Sequence, residues 1–398
     1  MKLKSLFQVA LTLLPTLLVA CGAPVDASRE QPASSLATVA IEQTAVRDQM
    51  AVGFCWAYAS MAFMESKYLA EKSEKVDLSE EALGFYRIID QLEYLTSLYQ
   101  KDGTATHAEL AQVVNKASLQ GWFVRRDPKD TRFKMHDAFE LIDLYGVVPE
   151  SVWNVKFDAG KKTTTMENAV RSGYLALMKR KGKSGTVSLQ DLKSILAHPK
   201  AFGSVPPSEF SFQGRQVSAK ELAREVMGFR GSDYSLVAAE SSRDLGKVVT
   251  ALKRGLARGL SVPIGFGVTF SMLKQGNFSH ENRPDSFYDS ISQEEAARVF
   301  VKDGGHAVLV TDYVNKGGRE GAMSESEVAA ETAKSSEELD YVKFKNSWGL
   351  KAGSNERGSR ISGSVDGYYK LDLGYLKGEA DAGMLNVVVP NDIAAALQ

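Results

Sequence analysis

Apolar positions recur at helical spacing through the first half of this chain and alternate, or run continuously, through the second. Residues 55–70 (CWAYASMAFMESKYLA) predict a helix: Ala57, Ala59, Ser60 and Ala62 permit close packing, and neither Gly nor Pro interrupts the run. Helical periodicity continues over 79–99, 137–145, 165–180, 218–227 and 243–258. Runs with strand character come late, at 261–269, 306–314, 341–345, 367–371 and 384–389. Helices first and strands after imply an α+β protein of two lobes, a helical N-terminal lobe over about 45–245 and a β lobe over about 246–390. Residues 316–340 form a charged insertion between two strands, with an Ala- and Glu-rich middle suited to a surface helix; 278–293 is similarly polar. No internal repeat is present.

The N-terminus changes the picture. MKLK followed by LFQVALTLLPTLLVA has the charge and the short, Pro-broken apolar run of a signal peptide over residues 1–20. It closes on Leu18-Val19-Ala20-Cys21, which resembles the lipobox of bacterial lipoproteins. That resemblance implies lipidation of Cys21 as the mature N-terminus, with residues 21–44 as a small, polar tether. The expectation is an exported lipoprotein of the cell envelope, in contact with the membrane through its anchor. Composition adds an exclusion: 48 basic residues against 49 acidic ones, net −1, leave no basic excess to bind nucleic acid. Cysteine usage adds another. With Cys21 acylated, Cys55 has no intramolecular partner, so no disulfide framework exists. An unpaired thiol in an oxidising compartment is a liability, which favours a function for it.

The surroundings of Cys55 suit a nucleophile. Gly53 marks a turn, so Cys55 enters the first turn of its helix, where backbone N–H groups and the positive end of the dipole favour a thiolate. Gln49, six residues earlier, is placed to bring its amide beside the same sulfur, and with the Cys55 N–H would form an oxyanion hole. A thiolate nucleophile also needs an imidazole and a group to orient it. Of five histidines, His107, His136, His198 and His280 stand in polar contexts suited to surface or capping roles. His306 differs, following Gly304-Gly305 and opening the strand AVLVTDYV. The next strand ends in Lys345-Asn346-Ser347-Trp348-Gly349, where Asn346 offers a carbonyl to an imidazole N–H and Trp348 a shield from water.

These segments resemble the papain-like cysteine peptidases: DQ-x5-CWA-[FY]-A with Trp56 after the cysteine, then GHAV-x-V with Gly305 before the histidine, then KNSWG, then GYY-K-L, in the family's order. The resemblance implies a two-lobe papain-like fold, with a helical N-terminal lobe, an antiparallel β-barrel-like C-terminal lobe and the active site in the cleft between. It implies Cys55 as nucleophile, His306 as general base and acid, Asn346 as orienter and Gln49 as oxyanion donor, acting on a peptide or protein substrate through a thioester without any cofactor. Residues 76–95, 141–153 and the VPPSEFSF and SAKELAREV segments are similar to the bleomycin hydrolases and bacterial aminopeptidase C. So is the distance from Cys55 to His306, far longer than the roughly 130–150 residues of papain.

The departures are informative. Val52 stands where papain has a disulfide cysteine, in agreement with the bleomycin-hydrolase branch, but Arg132-Phe133 stand where that branch carries a substrate-contacting Gly-Gly pair. Residues 391–398 form a short tail, where those relatives have a longer arm whose carboxylate enters the cleft and limits them to N-terminal trimming; an open cleft with endopeptidase action is therefore expected. The relatives are cytosolic hexamers, whereas this chain reads as exported, and its oligomeric state is not legible. About two dozen residues between Cys21 and the catalytic domain leave no room for a papain-type prosegment. Gly182-Lys183-Ser184 is no phosphate loop, since Leu177 holds the required glycine position, and no HExxH or CxxC pattern indicates a metal. Two other classes remain: an amidase or transpeptidase using the same residues on envelope material, and an inactive peptidase fold serving as a surface binding module.

Overall fold

Eighteen residues free of Gly and Pro form helix α1, Cys55–Lys72, whose side chains from Trp56 to Leu69 are almost all buried. A helix apolar on every side belongs in a core. It ends at Ser73, which takes a left-handed conformation (φ 57°) and donates its N–H to Leu69 O at 2.8 Å. The computed structural model describes residues 40–49, 53–101, 106–116, 135–155, 161–282, 304–350 and 364–398, all within one compact unit. The signal peptide, Cys21, most of the tether, Val52 and Arg132-Phe133 lie outside the described residues.

Around α1 stand α2 (Glu80–Lys101), α3 (His107–Lys116), α4 (Met135–Tyr145), α5 (Lys161–Lys181) and α6 (Leu189–Leu196). Phe63 of α1 stacks on Phe139 of α4 at 5.3 Å, and Phe229 meets the same ring edge-on at 5.1 Å. Such pairs add about 0.5–1.5 kcal/mol each beyond area burial. A small hairpin, β1 (Glu209–Phe212) with β2 (Arg215–Ser218), follows.

The remaining strands are β3 (Tyr234–Ala238), β4 (Val262–Gly267), β5 (Leu273–Lys274), β6 (Asn277–Phe278), β7 (Gly305–Asn315), β8 (Leu339–Lys345), β9 (Tyr368–Asp372) and β10 (Asn386–Pro390). They form one sheet in the order β3-β10-β4-β7-β8-β9-β6-β5, antiparallel throughout except between β6 and β9. Helices α7 (Leu245–Ala257), α8 (Glu325–Ala333), α9 (Leu373–Asp381) and α10 (Asn391–Ala395) accompany it. Strand β7 is buried at every residue but Gly305. Its alternation divides the two cores, with Ala307 and Leu309 in the helical one and Val308 and Val310 in the β one. Helix α1 packs on this strand. The α+β expectation holds.

The differences from the expected elements have local causes. Over 218–227 the Ser218–Glu221 capping box starts a single α turn, which then widens into a π-helix, Leu222–Val226, closed by Met227 N–H to Leu222 O at 3.0 Å. Strand β3 precedes the expected lobe boundary yet pairs with β10 along its whole length. The insertion 316–340 contains α8, opened by the Ser324–Glu327 capping box. It is pinned as well: Lys253 Nζ donates to Lys334 O (3.0 Å), and Glu320 pairs with Lys343 and Lys370, each at 2.8 Å. Burial pushes Glu320 up, but hydrogen bonds from the two lysines and Tyr341 overcome it and hold the carboxyl down at about 2.

Residues 391–398 do not hang free. Ile393 and Ala394 are buried, Asp392 pairs with Arg258 at 2.7 Å, and Asn391 accepts from Ser235 Oγ at 2.6 Å. Strand β10 starts with Asn386 opposite Gly265 and runs towards Pro390 opposite Tyr234. It thus leads away from the end of β4 at which Phe266 faces His306, and α10 begins about 17 Å beyond the level of Gly265. Among the described residues no helix is long and apolar enough to cross a membrane.

Candidate active site

Cys55 is the first residue of α1, and Phe54, at the N-cap, supplies no side-chain cap. The first N–H groups of a helix have no partner within it and carry its positive end. The half-buried Cys55 sulfur therefore sits where negative charge is stabilised. One turn along, Tyr58 and Ala59 line a small cavity with Ala307, Asn346 and Ser347, so the helix start lies beside the neighbours of His306. Trp56 is buried in the helical core, its ring edge-on to Phe54 at 6.3 Å.

His306 is the second residue of β7 and is buried. Its Nε2 lies 2.8 Å from Asn346 Oδ1. The Ser347 N–H donates to the same oxygen at 2.8 Å, so Oδ1 is the acceptor and His306 Nε2 the donor. Nε2 is thus the ring nitrogen committed to Asn346. The Trp348 indole stacks over the imidazole at 4.7 Å and 19°, and Phe266 meets it edge-on at 5.8 Å. The hydrogen bond is thereby kept from water, which strengthens it.

Two glycines let the N-terminal segment run against this loop. Gly349 has φ +78°, and a Cβ there would stand 3.0 Å from Asp48 Oδ2; Gly367 has φ +80°, and a Cβ would meet Val46 at 2.6 Å. Gln49 N–H accordingly bonds Ser347 O at 2.8 Å and Gly349 N–H bonds Arg47 O at 3.1 Å. Ser347 Oγ donates to Gln49 Oε1 at 2.5 Å. Ser347 thereby fixes the orientation of the Gln49 amide. Sequence reasoning did not give Ser347 this part, although it lies inside the KNSWG motif.

Beneath the loop the two lobes are joined by charge. Lys345 Nζ donates to Thr44 Oγ1 (2.9 Å), Thr44 donates to Glu65 Oε2, and Leu78 N–H donates to Glu65 Oε1 (2.8 Å). Burial pushes the Glu65 carboxyl up and the Lys345 ammonium down, and each opposes the shift of the other. Glu80, Glu81 and Glu150 bring one oxygen each within 4.8 Å of one another. Burial pushes Glu80 well above the carboxylate range and Glu81 above it, with repulsion from Glu81 adding to the rise at Glu80. Groups so placed favour the protonated form. Nothing in the sequence pattern brought these three together.

The other histidines lie elsewhere. His107 opens α3 and bonds Leu175 O at 3.1 Å, tying α3 to α5. His198 accepts from Lys200 N–H at 3.1 Å, a local turn closure. His136 falls in the first turn of α4, and His280 packs near Tyr375 with ring centroids 6.3 Å apart.

A family model described as papain family cysteine protease matches residues 35–84, which include Gln49 and Cys55. The match to that family is carried by this segment. The chain is similar in fold to PepW from Lactobacillus rhamnosis HN001, with a TM-score of 0.59 over 92% of this chain and 84% of that one at 17% identity. Procathepsin L 3 of the Tenebrio molitor larval midgut matches at 15% identity over 92% of this chain and 73% of that one, with a TM-score of 0.34. Xylellain, a cysteine protease from Xylella fastidiosa, matches at 16% identity over 87% and 83%, with a TM-score of 0.38. No curated protein sequence matches the chain significantly.

Proposed function

We propose that the protein cleaves peptide or protein substrates through a thioester on Cys55. In this reading the Cys55 thiolate attacks the scissile carbonyl carbon, forming the C–S bond, while Gln49 Nε2–H and the Cys55 N–H hold the resulting oxyanion. His306, protonated by the thiol, passes its Nδ1 proton to the leaving amine as the C–N bond breaks. It then takes a proton from the water that attacks the thioester, and the acid leaves as the thiol re-forms. Asn346 keeps the imidazole in the required tautomer. The observation that carries the reading is the 2.8 Å His306–Asn346 bond beneath Trp348, on the strand against which the Cys55 helix packs. Export and anchoring through Cys21 belong to the same proposal and rest on the Leu18–Cys21 pattern. A thiol-directed epoxide should modify membrane-fraction protein once, at Cys55, and the same mass spectrum should carry an acylated Cys21 N-terminus. Label on no residue would sink the nucleophile, and an unacylated soluble protein would sink the anchor.

Endopeptidase action is part of the same proposal, and the seating of residues 391–398 supports it. They are held by Arg258 and Ser235, past the end of a strand that runs away from the His306 level. On this reading an N-acetylated, internally quenched peptide should be cut at a rate comparable to its free-amine version. Loss of cleavage on acetylation would instead establish an aminopeptidase.

A further inference from the structure

We infer that Glu379 is a positioning residue for the His306 imidazole, acting through Gly267 at the end of β4. The inference rests on the Cys55–His306 reading above. Gly305 and His306 open β7 opposite Gly267 and Phe266, and Val268 N–H donates to Gly304 O at 2.8 Å. Gly304 and Gly305 have no side chains to pack, and a Cβ at either would meet nothing within 4 Å. At Gly304 and Gly305 the chain is therefore held by its backbone partner rather than by side-chain contacts.

That partner is gripped by α9. Glu379 Oε2 accepts from Gly267 N–H. Tyr375, one turn earlier, donates its hydroxyl to Gly267 O at 2.7 Å and accepts from Thr269 N–H at 3.0 Å. The Tyr375 ring also meets Phe266, whose own ring lies edge-on to the imidazole. One helix thus fixes both the backbone and the side chain against which His306 is set.

Glu379 is an expensive way to fill this space. It is wholly buried, and among the described residues its Oε1 has no hydrogen-bond partner. Burial pushes its carboxyl up to about 8, against the opposing Gly267 bond, so it is mostly neutral at pH 7. A leucine would fill the same space without that penalty but could not accept from Gly267. A neutral carboxyl accepting a backbone N–H is reproduced by glutamine and abolished by leucine, which makes the function separable from the packing.

The test uses the full chain, with kcat and KM on a fluorogenic peptide expressed per titratable thiol, for Glu379→Gln, Glu379→Leu and His306→Ala. Glu379→Gln should stay within about twofold of wild type. Glu379→Leu should lose at least about tenfold in kcat with KM within about twofold, and should shift the acidic limb of the pH profile for thiol alkylation, which reports the thiol–imidazole pair. Wild-type kcat in Glu379→Leu, or equal losses in both Glu379 variants, would overturn the inference. Should Glu379→Leu fail to fold, Tyr375→Phe breaks the other half of the grip, and an unchanged kcat there overturns it equally. An active His306→Ala enzyme would remove the reading beneath; an inactive one beside a fully active Glu379→Leu enzyme would remove this inference alone.

Discussion

Cys55→Ser should lower kcat/KM by roughly 10⁴-fold or more, about 5.5 kcal/mol of transition-state stabilisation, while the far-ultraviolet spectrum stays that of the wild type. The substitution leaves helix α1 and the Trp348–His306–Asn346 stack in place. It removes only the acidity of sulfur: a hydroxyl at a helix N-terminus remains a hydroxyl at neutral pH, whereas a thiol there ionises. His306→Ala should cost nearly as much, because in the proposed mechanism thiol and imidazole act as one unit. The double variant should then be little worse than either single one, since groups acting as a unit are not additive. Losses that simply multiply, or a Cys55→Ser enzyme retaining more than a few per cent of activity, would contradict a shared proton. Stopped-flow measurement of the acyl step distinguishes these cases.

Trp348→Ala should act on stability and chemistry together. The indole is 4% exposed, stacked on His306 and in contact with Phe270, Phe278 and Tyr369. Removing it leaves a cavity in the β core, at a cost of about 3–5 kcal/mol in urea unfolding. It also opens the His306–Asn346 bond to water, so the imidazole loses its fixed orientation and kcat falls even in molecules that remain folded. Trp348→Phe should restore most of the stability and part of the activity. A Trp348→Ala enzyme with reduced stability but unaltered kcat would show that the indole serves packing alone.

What was legible in the sequence was whatever short range could write. The Cys55 helix was readable because no breaker interrupts it, and β7 because its apolar residues run unbroken after two glycines. The pairing of His306 with Asn346 was readable because both stand at strand ends in distinctive motifs. Strand β3 was not: five residues of mixed burial become a strand only because β10, about 150 residues later, lies beside them. Helix α6 carries its own signal in the Ser188–Asp191 capping box, yet eight residues are too few for periodicity to announce. The hydroxyl of Ser347 and the carboxyls of Glu65 and Glu379 were invisible for another reason. What each does is decided by Gln49, Thr44 and Gly267, distant in sequence and adjacent only after folding.

The separation of the two halves of the site also sets when activity can begin. Gln49 and Ser347 bond across 298 positions, and Thr44 and Lys345 across 301. Contacts so distant in sequence form late, and at a synthesis rate of about 5–20 residues per second the imidazole emerges some 10–50 s after the thiol. In the proposed Cys55–His306 reading, the nascent chain through that interval carries the thiol without its imidazole and asparagine partners. On that reading a ribosome-bound fragment lacks the complete site, and activity should begin only once the last strands have folded.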